Sequence, residues 1–132
     1  HIDEKLGVLV SDEYFKNTYV TKFPGGGLQY GEGIADCLKR EWKEEVGAEI
    51  SIDKHFYTTD FFQKSAFGDS QVISIYYLVN LISLLKVPLK NKPFDFDVFK
   101  DGAEAFRYIK NPNEKDFTFP IDKHVVKMLG KL

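Results

Sequence analysis

The chain has 132 residues, 43% of them hydrophobic and 29% charged, with a formal net charge of −2. That is the size and composition of one soluble globular domain with a single core, neither disordered nor fibrous. The slight acidity gives no basic footprint for polymeric nucleic acid or an anionic membrane surface, and the lone Cys37 excludes an internal disulfide.

In chain order, residues 6–10 (LGVLV) read as a short apolar strand, and DEYFKNTYVTKF leads from it into the glycine loop FPGGG. Residues 33–46 carry a helical period, with Ile34, Leu38, Trp42 and Val46 recurring every four positions and Gly47 as a C-terminal stop. Two strand-like runs follow at 48–52 and 55–62. Residues 71–81 (QVISIYYLVNL) carry the strongest strand signal, and β-branched and aromatic residues in both alternation phases predict a central strand covered on both faces. Residues 86–102, with Pro88 and Pro93, read as a long surface loop, and 104–109 (EAFRYI) as another strand. In NPNEKDF, an Asn cap with proline at the first helical position predicts a helical turn. Residues 121–132 predict an amphipathic helix with Ile121, Val125, Met128 and Leu129 on one face. The mixture gives one α/β or α+β domain over residues 1–132. No apolar run reaches the roughly 18 residues of a membrane span. No secretory pattern opens the chain, so a cytoplasmic protein is expected.

The glycine loop stands directly before an acidic helix. At about 100° per residue the apolar stripe points one way, and Asp36, Lys39, Arg40 and Lys43 point roughly the other. Glu41, Glu44 and Glu45 border the stripe instead, with Glu41 and Glu45 nearest to it. Carboxylates spaced i, i+3 and i+4 repel one another, and partial burial raises the cost. Hard cations such as Mg²⁺ or Mn²⁺ offset it, taking oxygen ligands and bridging carboxylates to phosphates. Glycines let backbone carbonyls and amides approach such an ion or a diphosphate. Taken alone, a charged helix is usually a solvated one and a glycine run usually a turn. The fixed order and spacing of both argue for a site.

That order resembles the Nudix box. The pattern of glycine, five residues, glutamate, seven residues, Arg-Glu, apolar, any, Glu-Glu, any, glycine, apolar is met by Gly26, Glu32, Arg40, Glu41, Trp42, Glu44, Glu45, Gly47 and Ala48. Trp42 and Ala48 stand where an aliphatic residue is usual, and the preceding FPGG is similar to the family's. No Walker-type GK[ST] follows the glycines, which excludes a P-loop.

The resemblance implies a three-layer α/β/α sandwich around a mixed sheet, and Mg²⁺- or Mn²⁺-dependent hydrolysis of a nucleoside diphosphate linked to another moiety. It implies that Glu41, Glu44 and Glu45 hold the divalent ions, joined by the carbonyl of Gly25 or Gly26. Glu32 and Arg40 would pair to fix the loop on the helix. Glu41 or Glu45 would be the general base unless a distant loop supplies it. An additional carboxylate would come from Asp101 or Glu104. Tyr57, Phe61 and Phe62 are candidates for stacking a base, although a core role is the commoner fate of such aromatics. His55, His124 and Cys37 have no partner pattern and read as structural. The sequence opens at His1, so a truncated N-terminal strand is expected. The partner expected is a nucleotide-type small molecule, with no polymeric nucleic acid and no membrane; a homodimer is left open. A Nudix-fold binding or sensor module without catalysis is the alternative. No substrate marker follows the box: the window FFQKSAF holds neither the proline of ADP-ribose hydrolases nor the tyrosine of diadenosine polyphosphate hydrolases.

Overall fold

The computed structural model describes residues 1–132 and has six strands and two helices. Strand β1 (Ile2–Asp3) is short; β2 (Gly7–Phe15) and β3 (Thr18–Lys22) form a hairpin; helix α1 spans Ile34–Val46. Strands β4 (Ile50–Thr58), β5 (Ile75–Leu81) and β6 (Ala103–Ile109) follow, and α2 (Pro120–Leu129) closes the chain. No helix is long and apolar enough to cross a membrane.

β2 is the organising strand. One side of it pairs with β6 from Val8↔Ile109 to Tyr14↔Ala103. The other side pairs with β3 from Ser11↔Lys22 to Phe15↔Thr18, and with β1 at Gly7 and Val8. β4 and β5 form a second, two-stranded sheet. All six strands pair antiparallel, and a lone bridge, Leu89 with Phe106, is parallel.

Side chains alternate across a strand, and the two faces of β2 meet different helices. Leu9 packs with Trp42 and Val46 of α1 and with Phe106 of β6. Val10 packs with Phe117 and with Val126 of α2. The helices therefore flank the strands from opposite faces, which gives an α+β domain in three layers. Asp12, fully buried on the α2 face, binds the elements together. It accepts from Arg107 (Nε to Oδ2, 2.6 Å; a second nitrogen to Oδ1, 3.1 Å), from the Thr21 hydroxyl (2.6 Å) and from the Phe94 amide (3.1 Å).

Several predicted boundaries move. The first strand continues from Gly7 to Phe15 and turns at Lys16 and Asn17, both with positive φ (47° and 60°), the backbone of a two-residue hairpin. The two runs predicted at 48–52 and 55–62 are one strand, β4, with irregularities between Ile52 and Lys54 and between His55 and Tyr57. The strand predicted at 71–81 starts at Ile75 and is not central: its one ladder is with β4, and Val79 is its only buried residue. The turn before α2 is a 3-10 turn at Glu114–Asp116, capped by Asn113 rather than Asn111. On α2 the buried side chains are Ile121, Asp122, Val125 and Val126, with Met128 and Leu129 half-buried.

Candidate active site

Helix α1 begins at Ile34 and stops at Gly47, whose left-handed backbone (φ 64°) turns the Gly47 and Ala48 amides back onto the Lys43 and Trp42 carbonyls. Trp42 and Val46 anchor its inner face. That packing fixes the direction in which the glutamates point.

Gly26 is the tightest point of the loop. A Cβ there would fall on the Glu41 carboxyl group, so only a residue without a side chain lets the backbone lie against that carboxylate. Arg40 fastens the arrangement. It forks onto Glu32 (2.9 and 2.7 Å), donates to Glu41 (2.8 Å) and Glu44 (3.2 Å), and reaches the Gly27 carbonyl at 3.0 Å. The Arg40 hydrogen bonds, followed by the Gln29 amide, lower the Glu32 carboxyl to about 2. The helical wheel places Arg40 on the solvated side. In the structure it is largely covered, because its planar fork finds four acceptors across the loop.

Glu41, Glu44, Glu45 and Glu104 line one cavity of about 550 Å³. Of the two later carboxylates expected, Glu104 thus joins the helix. Asp101 does not: its carboxylate accepts the Lys16 backbone amide (2.8 Å) at the tip of the hairpin.

Glu13 and Lys22 also belong here, and neither is among the residues expected from the sequence. Glu13 lies directly opposite Glu104 in the β2–β6 ladder, on the same face as Leu9. The Lys22 ammonium stands 3.2 Å from Glu13 and donates to the carbonyls of Phe23 (3.3 Å) and Gly25 (3.5 Å). Two-residue alternation running on from Leu9 through Ser11 to Glu13 was the available signal.

Burial, with Glu104, Glu13 and Glu41 as like-charged neighbours and Lys22 opposing, pushes the Glu45 carboxyl up to about 8. Burial and Glu13 likewise raise Glu104. The carboxylates of this group outnumber the cations beside them, Lys22, Lys90 and Arg40. The donor set is all oxygen, as Mg²⁺ or Mn²⁺ requires, and the missing Cβ at Gly26 leaves its backbone free to join. The residues fit such an ion. They are not closed into a cage, since no three carboxylates converge on one point and Arg40 holds two of them.

The expected stacking residues lie elsewhere. Tyr57 is a core residue packed with Ile121 and Val125, its hydroxyl on Asp60 (2.7 Å). Phe61 is exposed beside His124, and Phe62 is more exposed still. The aromatic surface that is available lines a second, larger cavity of about 580 Å³ that reaches Gly25, Gly26 and Gly27, with Phe23, Phe67, Tyr76 and Phe119 in its wall. Tyr57 and Phe61 belong to an aromatic-rich run. The cavity draws its rings from segments far apart in the chain, Trp42 of α1 and Phe56 of β4 among them, which linear order does not reveal. His55 bonds Thr58 (2.8 Å), His124 packs on Tyr57, and Cys37 is buried beside the Gly27 carbonyl, all structural placements.

A family model, the NUDIX domain, matches residues 2–116. The chain belongs to the Nudix family. No curated protein matches it. Membership carries hydrolysis of nucleoside diphosphate derivatives as its general activity, and the glycine loop, Arg40 fork and α1 carboxylates of this Nudix domain lie together.

Proposed function

We propose that this chain hydrolyses the diphosphate linkage of a nucleoside diphosphate joined to another moiety, using Mg²⁺ or Mn²⁺ held by Glu41, Glu44, Glu45 and Glu104 and the Gly25 or Gly26 carbonyl. The observation that carries the reading is the Gly26 backbone lying against the Glu41 carboxylate at the edge of a cavity that also holds Glu45 and Glu104. A divalent cation held there would supply positive charge against the diphosphate and make a nearby water more acidic. The glycine loop offers backbone groups to the phosphates without side chains in the way. Water attacks phosphorus, the bridging P–O bond breaks with the electron pair leaving on oxygen, and Glu41 or Glu45 accepts the water proton. Arg40 and Glu32 keep loop and helix in position; Lys22 holds the Phe23 and Gly25 carbonyls and balances part of the carboxylate charge.

One observation favours a binding module without catalysis. No three carboxylates converge on one point, although Arg40 engages only one oxygen each of Glu41 and Glu44 and leaves the other to an ion. The decisive measurement is release of phosphate-containing product from nucleoside triphosphates, ADP-ribose, nucleotide sugars, dinucleoside polyphosphates and coenzyme A, with Mg²⁺ and with Mn²⁺. Turnover with either ion supports the hydrolase. Nucleotide binding without turnover on any of them supports the module.

A further inference from the structure

The wall of the larger cavity is mainly apolar; Lys22, Gln63, Lys64, Ser65 and Ser74 also line it, and it holds one buried carboxylate. Asp122, in the first turn of α2, is 5% exposed and lines this cavity near Phe119 and Tyr76. Its Oδ1 accepts the Tyr76 hydroxyl at 2.6 Å. Its Oδ2 has no hydrogen-bond partner in the protein. The one side-chain nitrogen or oxygen sealed in without a partner is His1 Nδ1, so Oδ2 is not sealed, and Asp122 is among the residues that line the cavity. A structural role, as a clasp between α2 and β5 or a charge at a helix start, accounts for Oδ1 alone. Burying a carboxylate is unfavourable unless its oxygens are hydrogen-bonded, and burial raises this one to about 6 against the Tyr76 bond and Lys22.

The cavity runs without interruption from Gly25–Gly27 to Asp122, and about 580 Å³ is within the range of small-molecule sites. A diphosphate at the glycine loop directs the nucleoside into this space. Phe23, Phe67 and Phe119 offer ring faces and edges to a base. At the polar end, a carboxylate can only accept. Guanine presents two adjacent donors, its N1–H and its exocyclic amino group. Adenine and cytosine put an acceptor beside their amino donor, and uracil puts its single donor between two acceptors. Oδ2 is free, and Oδ1 keeps a second lone pair beside the Tyr76 bond.

Resting on the hydrolase reading above, we propose that Asp122 is the residue that determines specificity, its free oxygen reading the donor edge of guanine, and that the substrates are guanosine diphosphate derivatives. Tyr76 is the positioning residue that holds the carboxylate.

The experiment compares wild type, Asp122→Asn and Tyr76→Phe on GDP-, ADP-, CDP- and UDP-glucose with Mg²⁺. Binding of GMP and AMP is measured in parallel by calorimetry without added metal. Wild type is expected to favour GDP-glucose by about 10²-fold in kcat/KM, carried mainly by KM. Asp122→Asn exchanges one acceptor oxygen for a donor. It should erase the preference through KM and narrow the GMP-to-AMP affinity ratio to within a few-fold. Tyr76→Phe should weaken the preference in the same direction by a smaller factor, and it decides the matter if Asp122→Asn does not fold. A wild-type preference for another base overturns the proposal, as does an Asp122→Asn or Tyr76→Phe protein with undiminished guanine preference. If no nucleotide is hydrolysed but GMP still binds in an Asp122-dependent way, the hydrolase reading fails while the base assignment stands. If turnover is found without base preference, the assignment fails while the hydrolase stands.

Discussion

Glu45 is half-buried among Glu13, Glu41 and Glu104, and burial is the largest cause of its carboxyl rising to about 8 from an ordinary 4.5. The folded protein therefore holds a proton there between about pH 4.5 and 8 that the unfolded chain releases. Stability falls as pH rises through that window, and the whole penalty is present above it. Glu45→Gln in ion-free protein should raise the melting temperature at pH 8, with the gain shrinking to nothing below pH 4.5. The same substitution should lower turnover by on the order of 10²-fold or more, at least about 2.7 kcal/mol of transition-state stabilisation. Thermal melts across pH, set beside Mg²⁺-dependent turnover, check both halves; wild-type turnover under saturating Mg²⁺ would remove α1 as the catalytic centre. Glu32 behaves differently because it is a fastener. Glu32→Gln should lower the melting temperature and cost on the order of 10-fold in activity, since the Arg40 fork loses its charged acceptor.

Among the elements, the loop and α1 carry the most information in the fewest residues. Gly26→Ala puts a methyl group where the Glu41 carboxylate lies, so loop and carboxylate must part. The expected outcome is a folded protein, with circular dichroism unchanged, that has lost about 10²-fold or more in turnover. This stretch was legible in the sequence because its parts are contiguous: a four-residue apolar period, a terminal glycine, and glutamates along one edge. Glu13 and Lys22 were not, because they join the site through strand pairing, and pairing between distant segments leaves no local trace. Asp101 and Glu104 lie three positions apart and look alike in sequence. The β2–β6 register decides between them, setting Glu104 opposite Glu13 and leaving Asp101 beyond the strand to bind the Lys16 amide. The β2–β3 hairpin escaped notice because Lys16 and Asn17 take the left-handed turn where Asn-Gly would have announced it. β5 misled in the opposite sense. Its apolar residues in both phases suggested a strand enclosed on every side, yet part of that apolar surface lines the large cavity.

At the scale of the whole molecule, the carboxylate cavity and the cores behind it should respond together to ions. Mg²⁺ at about a hundred times its Kd should add about 2.7 kcal/mol to the unfolding free energy, read as a concentration-dependent rise in melting temperature, and Glu104→Gln should diminish that rise. The knot around Asp12 has a consequence of another kind, in time rather than in energy. Its partners stand 9, 82 and 95 residues away along the chain, so it ties only after the chain has closed two long loops, steps that are slow because loop entropy is lost before contacts form. Asp12 should therefore be bare at the folding transition state. Asp12→Ala, which leaves Arg107 buried and unpaired at a cost of about 3 kcal/mol or more, should leave the refolding rate almost unchanged. It should speed unfolding by about two orders of magnitude, shortening the native lifetime of a protein that still folds at its usual pace.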